Sequence, residues 1–161
     1  MLFFMVIQFL SLGLCSNTHV AHYIAYYMER NNTDVIVNYL KANLDNADIL
    51  YALGGMYLQS GQIDFAIDCM KKANELGLVS ATNSLGDIYY SDKNDLKKAI
   101  YYYKKGAISG YGPSQFNLGI IYKKHIKDRK KAKYWLLKAA NNTSSFDEHV
   151  RKEARRYYNE L

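Results

Sequence analysis

Leu-Gly-x-x-Tyr is written at 53–57, 85–89 and 118–122, at spacings of 32 and 33 residues. A second motif keeps the same step: "FAIDCMKKA", "KKAIYYYKKGA" and "KKAKYWLLKAA" bring Ala66, Ala99 and Ala132 into register, with Lys72, Lys105 and Lys138 one and a half turns on and Tyr102 over Trp135. A period of this length is the signature of stacked helical hairpins. One such unit cannot bury its own apolar face, and a neighbour of the same shape covers it. Each unit reads as two antiparallel helices, approximately 47–60 with 63–76, 80–91 with 95–109, and 113–125 with 128–141, inside units 47–78, 79–112 and 113–144.

The recurring residues have separate physical tasks. Gly54, Gly86 and Gly119 lie mid-helix, where Gly is about 1 kcal/mol less favourable than Ala. Their recurrence at one phase predicts close approach of the second helix, with Ala66, Ala99 and Ala132 as the small residues facing them. Tyr57, Tyr89 and Tyr122 fall one turn after each Leu, on the stripe that fills the seam. Asp64, Asp95 and Asp128 stand at the starts of the second helices, where a carboxylate satisfies free N–H groups. Gly77 and Gly110 end two of those helices, and Pro113 opens the last first-helix.

These residues resemble the Sel1-like repeat, a relative of the tetratricopeptide repeat. The second unit carries Ala81, Leu85-Gly86, Tyr89, Asp95, Lys98-Ala99, Tyr102-Tyr103, Lys105, Ala107 and Gly110, and the third carries Leu118-Gly119, Tyr122, Asp128, Lys131-Ala132, Trp135 and Lys138-Ala139-Ala140. The first unit is closer to a plain tetratricopeptide unit. A Gly-x-Gly-Val loop and the paired cysteines of the family's cysteine-rich secreted branch are missing, so that branch's activities are not carried over. The resemblance implies an all-α fold, a short α-solenoid of stacked antiparallel helix pairs in a right-handed superhelix. It also implies that the first helix of each unit lines a concave side that binds a protein or peptide. By phase from each Leu-Gly, the groove positions are Tyr51, Gly55 and Leu58, then Asn83, Asp87 and Tyr90, then Phe116, Ile120 and Lys123. Of these, Tyr51, Asn83, Asp87, Tyr90, Phe116 and Lys123 are the expected partner contacts.

The ends read differently. "MLFFMVIQFLSLGLC" is apolar from Leu2 to Leu14, short of the roughly 20 residues a bilayer span needs. It suits a signal peptide over 1–16, although no Lys or Arg precedes the apolar run. The alternative is a retained apolar helix. Secretion or export to a periplasm follows from the first reading, a cytoplasmic or membrane-associated protein from the second. Residues 18–46 read as a divergent capping helix pair, and 145–161 as a closing helix opened by the capping box Ser145-x-x-Glu148, with Val150, Ala154 and Tyr157 as its apolar stripe. With 161 residues and one Pro there is room for a single domain, expected to be monomeric. The two cysteines, Cys15 and Cys69, give no disulfide framework, and Cys69 sits on a packing face.

A scaffold that binds a protein or peptide without catalysis is therefore the main reading. The net charge of +6 concentrates between Lys123 and Lys133, where seven basic residues meet one acid. Lys124, Lys127, Arg129 and Lys130 in that stretch form a candidate patch for nucleic acid or another acidic surface. An enzyme is disfavoured. His19 and His22 are three apart on one helix face, but no further ligand completes a metal site, and neither a phosphate loop nor a nucleophile motif occurs. No cofactor is expected. Asn31, Asn141 and Asn142 begin Asn-x-Ser/Thr acceptors.

Overall fold

The computed structural model of the chain describes residues 42, 45–143 and 148–161. The leader, His19, His22, Asn31, most of the N-terminal pair and Ser145 of the expected capping box lie outside the described residues. Among those residues the chain is all-helical, with no strand. The helices are α1 (Ala47–Gln59), α2 (Ile63–Glu75), α3 (Val79–Ser91), α4 (Leu96–Ile108), α5 (Gly112–Ile121), α6 (Arg129–Ala140) and α7 (Glu148–Asn159). Helix α5 runs on into a π-helical turn, Tyr122–Ile126. The chain divides between Leu78 and Val79 into two compact units; the first holds α1 and α2, the second α3 to α7. Among the described residues, no helix is long and apolar enough to cross a membrane.

Helix starts follow the local chemistry in two of the three expected places. The Asp95 carboxylate accepts from the Lys98 N–H and the Asp128 carboxylate from the Lys131 N–H, both at 3.0 Å. Those N–H bonds are the main reason both carboxyls titrate below their ordinary value. Asp64 is not at the cap position: it lies inside the first turn of α2, where its charge favours the helix dipole, and the cap residue Gln62 makes no side-chain cap bond. An unanticipated cap, Asn46, accepts from the Asp48 and Ile49 N–H groups at 2.9 and 3.3 Å. Gly77 and Gly110, with φ of 93° and 84°, end α2 and α4 in the left-handed conformation that favours glycine.

Each repeat's helices approach closely at the Leu-Gly positions as expected, with Ala66 O 3.4 Å from a Cβ on Gly54, but the nearest contact is with a larger side chain than the repeated alanine. A Cβ built on Gly54 would meet Met70 Cε at 3.0 Å, one on Gly86 would meet the Tyr103 ring at 2.5 Å, and one on Gly119 would meet Leu136 Cγ at 2.8 Å. The residue over each glycine is the large side chain four places after the repeated alanine, while Ala66, Ala99 and Ala132 are themselves fully buried. The glycine is a hole for a knob. Tyr89 stacks on Tyr102 with ring centres 5.4 Å apart, and Tyr57 meets Phe65 at the same distance. Cys69 is half-buried beside Gly54, and burial pushes its thiol up, which keeps it a packing group.

In the second unit α5 packs between α4 and α6, and α7 closes onto α5 and α6. Ala154 of α7 is buried with Ala139 and Ala140, and Phe116 packs against that cluster. Asn142, just past α6, is held by its side chain. Its side-chain N–H groups donate to the Gly110 carbonyl at 2.7 Å and to Gln115 Oε1 at 2.9 Å, and Gln115 in turn donates to the Ala107 carbonyl. Asn142 is only 9% exposed, so of the two adjacent acceptor asparagines Asn141 alone is open to solvent.

Candidate functional site

The second compact unit, Val79–Leu161, gathers polar side chains of α3 and α5 into one network. Asn83 and Asp87 stand one turn apart on α3, and Asn83 Nδ2 donates to Asp87 Oδ2 at 2.9 Å. From α5, the Ser114 hydroxyl donates to Asn83 Oδ1 at 3.0 Å, and Asn117 Nδ2 donates to Asn83 Oδ1 and Asp87 Oδ1 at 3.3 and 3.2 Å. From α4, the Tyr103 hydroxyl donates to Asp87 Oδ1 at 2.6 Å. The approach that permits this is set by Gly106, where a Cβ would run into the Ser114 hydroxyl. Asp87, Tyr90, Tyr103, Asn117, Ile120 and Ile121 line a pocket of about 230 Å³ on this face. At its rim the Tyr90 hydroxyl and His125 Nε2 are 2.9 Å apart, the two rings meeting edge to face.

The residue Asp87 opens to solvent, but its carboxyl stands among three side-chain donors and the pocket wall. Desolvation pushes it up to about 6, and the Tyr103 hydrogen bond pulls the other way without overcoming it. Burial, with the neighbouring Asp87 charge, holds the Tyr103 phenol far above its ordinary value, so it remains a donor. A carboxyl whose folded value lies above its unfolded value near 4 binds its proton more tightly when folded. Its contribution to stability therefore falls as pH rises from about 4 to about 6, and is level above that. The stability of wild type minus that of Asp87→Asn is expected to decrease across this window in denaturant titrations at pH 4, 5, 6 and 7. A difference independent of pH would remove the desolvated carboxyl.

No family model and no curated protein matches the chain. Among solved structures it is similar to the crystal structure of a Sel1 repeat protein from Oxalobacter formigenes, at 29% identity over 74% of this chain and 97% of that one, with a TM-score of 0.58. The fold is Sel1-like. An immunity protein from Pseudomonas aeruginosa is similar in fold, at 20% identity over 87% of this chain and 66% of that chain, with a TM-score of 0.51. Helical-repeat folds of the Sel1-like kind are protein-interaction folds in general, and the arrangement of antiparallel pairs is the one the repeat implied.

On this Sel1-like frame the expected contact residues separate. Asp87 and Tyr90 line the pocket, Asn83 is hydrogen-bonded to Asp87 beside it, and Tyr90 is 40% exposed. Tyr51, in the first unit, is only 6% exposed and is a core residue, as is Gly55. Phe116 and Lys123 are met by α7. Phe116 faces Tyr157 edge-on at 5.7 Å, and Lys123 Nζ pairs with Glu160 at 2.7 Å while lying 4.8 Å from the Tyr157 ring centre. Two of the third repeat's three expected groove residues are thus met by the closing segment, while Ile120 lines the pocket. Lys124, Lys127, Arg129 and Lys130 are all exposed around the π-turn and the start of α6. Lys127 there adopts φ of 62°, closing the turn. Lys124 leans towards the Tyr157 ring, at 5.7 Å. Among the described residues, no group of three or more His, Cys, Asp or Glu could hold a metal ion.

Sequence reasoning missed Asn117, Tyr103, Ser114 and Gly106. The first had a usable signal: Asn117 precedes Leu118-Gly119 directly, on the face that Asn83 and Asp87 share with the next helix.

Proposed function

We propose that the chain is a non-enzymatic interaction module that holds a protein or peptide segment on the face built by α3 and α5, with Asn83, Asp87, Tyr90 and Asn117 as its contact groups. The observation that carries this reading is the shared network itself. Polar side chains of two successive first-helices meet at an open face, beside an aromatic-walled pocket, where exposure to solvent alone would not require them to converge. A preformed surface of this kind keeps the ordering cost of binding low, and a half-exposed Tyr is a suitable anchor. The helices that carry it are fixed by the packing of Tyr103 and Leu136 over their glycines.

The test uses the full chain as bait in an extract of the producing cell. The comparison is a variant with Asn83, Asp87, Tyr90 and Asn117 changed to Ala, first checked for an unchanged helical spectrum. A protein retained by the wild type and reduced at least tenfold by the variant is the expected result. The basic patch supports a second reading, because Lys127, Arg129 and Lys130 are exposed and make no ion pair among the described residues. Capture that survives the Ala variant but is lost when Lys124, Lys127, Arg129 and Lys130 become Glu would move the site there. Binding of single-stranded DNA at physiological salt by the same criterion would make the ligand nucleic acid.

A further inference from the structure

We propose that the pocket beside Asp87 receives the cationic head of a basic side chain from the bound segment, an inference that rests on the α3–α5 face being the binding surface. Its basis is a charge without a counter-charge. The Asp87 carboxylate accepts from Tyr103, Asn83 and Asn117, and all three donors are neutral. None of the ion pairs among the described residues includes it, in a chain with six more basic than acidic residues. The neutral donors orient the carboxylate but leave its charge uncompensated.

The accepting directions show what is still wanted. A carboxylate has about four. Oδ1 takes two donors and Oδ2 takes one, so the open direction is on Oδ2. Asn117 Nδ2 serves both of its acceptors, which fixes the amide's orientation and leaves Asn117 Oδ1 as a second acceptor in a residue that lines the same pocket. Tyr90 and Tyr103 add aromatic rings, which attract cations through their faces. Ile120 and Ile121 supply apolar wall suited to the methylene stem of a long basic side chain. The other titratable groups at the pocket are the Tyr90 phenol, the Tyr103 phenol, which stays protonated, and His125, which reaches it through the Tyr90 hydroxyl. The raised titration of Asp87 fits a carboxylate short of solvation, a shortage that an entering cation would make good. An anion would meet Asp87 directly, and a neutral donor would fill the open direction without balancing the charge.

The probe is a single blocked residue, followed by NMR on the full chain at constant ionic strength and pH 7. Nα-acetyl-lysine amide and Nα-acetyl-arginine amide are compared with their neutral counterparts, Nα,Nε-diacetyl-lysine amide and Nα-acetyl-citrulline amide. Saturable shifts at Asp87, Tyr90 and Asn117 are expected with at least tenfold preference for a cation over its neutral counterpart. Asp87→Asn and Tyr90→Leu should each abolish that preference, and the Asp87 titration midpoint should move down from about 6 when the cation is bound. Lysine is expected to exceed arginine, because the doubly occupied Oδ1 leaves no place for a two-pronged guanidinium. Equal response to the neutral counterparts, or an undiminished preference in Asp87→Asn, overturns the inference. The two readings fail separately. Capture lost in the four-residue variant without cation preference removes the cation pocket and leaves the binding face. Cation preference with capture unaffected by that variant removes the binding face, and with it the assignment of the cation to a bound segment.

Discussion

Gly86→Leu is expected to destabilise the protein by about 3 kcal/mol or more, in the upper range for overpacking a filled interior. Even a bare Cβ at this position would lie 2.5 Å from Tyr103 Cδ1 and Cε1, distances no real contact tolerates. The obstacle is an aromatic ring, only 3% exposed, whose hydroxyl is tied to Asp87. It can yield only by moving α4 or by turning the ring and giving up that bond. The better helix propensity of Leu, worth up to about 1 kcal/mol, offsets part of the loss. Urea unfolding followed by circular dichroism measures the effect. Near wild-type stability would show that α3 and α4 do not meet as described, and would undo the knob-and-hole reading of every unit.

Leu136→Ala should cost about 2–5 kcal/mol, the span for emptying a fully buried aliphatic site. Leu136 has no exposed surface and lies over Gly119, where a Cβ would be 2.8 Å from its Cγ. That placement makes a sharper expectation possible. Gly119→Ala alone should also destabilise, by collision, while Gly119→Ala in the Leu136→Ala background puts a methyl group into space the missing side chain has left. The double variant should therefore be more stable than the sum of the two singles predicts, by about 1 kcal/mol. Strict additivity would mean that the two positions do not touch.

The period and the elements were legible because each rests on local rules. Leu-Gly-x-x-Tyr and the alanine motif set phase, and the acids at 95 and 128 cap α4 and α6 as short-range chemistry dictates. The partner of each glycine was not legible. Residue type suggests small against small, but Gly54, Gly86 and Gly119 face Met70, Tyr103 and Leu136, three different shapes that share only a position. Similarity by residue type hides a contact that is repeated by geometry.

The proposed face was legible in part for a related reason. Phase alone finds which residues point the same way along a helix, and Asn83, Asp87 and Tyr90 do lie near one another, Asp87 and Tyr90 on the pocket and Asn83 bonded to Asp87. It does not say what lies opposite. Tyr51 is buried, and Phe116 and Lys123 are met by Tyr157 of α7 and by Glu160 just past its end, some forty residues away in sequence. The network needed Tyr103 from α4 and the missing side chain at Gly106, neither of which belongs to the first-helix pattern.

The buried amide of Asn142 has a consequence for biosynthesis. In a cell that attaches glycans to nascent chains, a sugar on Asn142 would need the same nitrogen that holds the Gly110 carbonyl and Gln115. Modification there and closure of the last repeat exclude one another. In such a cell, whichever came first would decide whether Asn142 could hold Gly110 and Gln115, whereas a sugar on exposed Asn141 would not need that nitrogen.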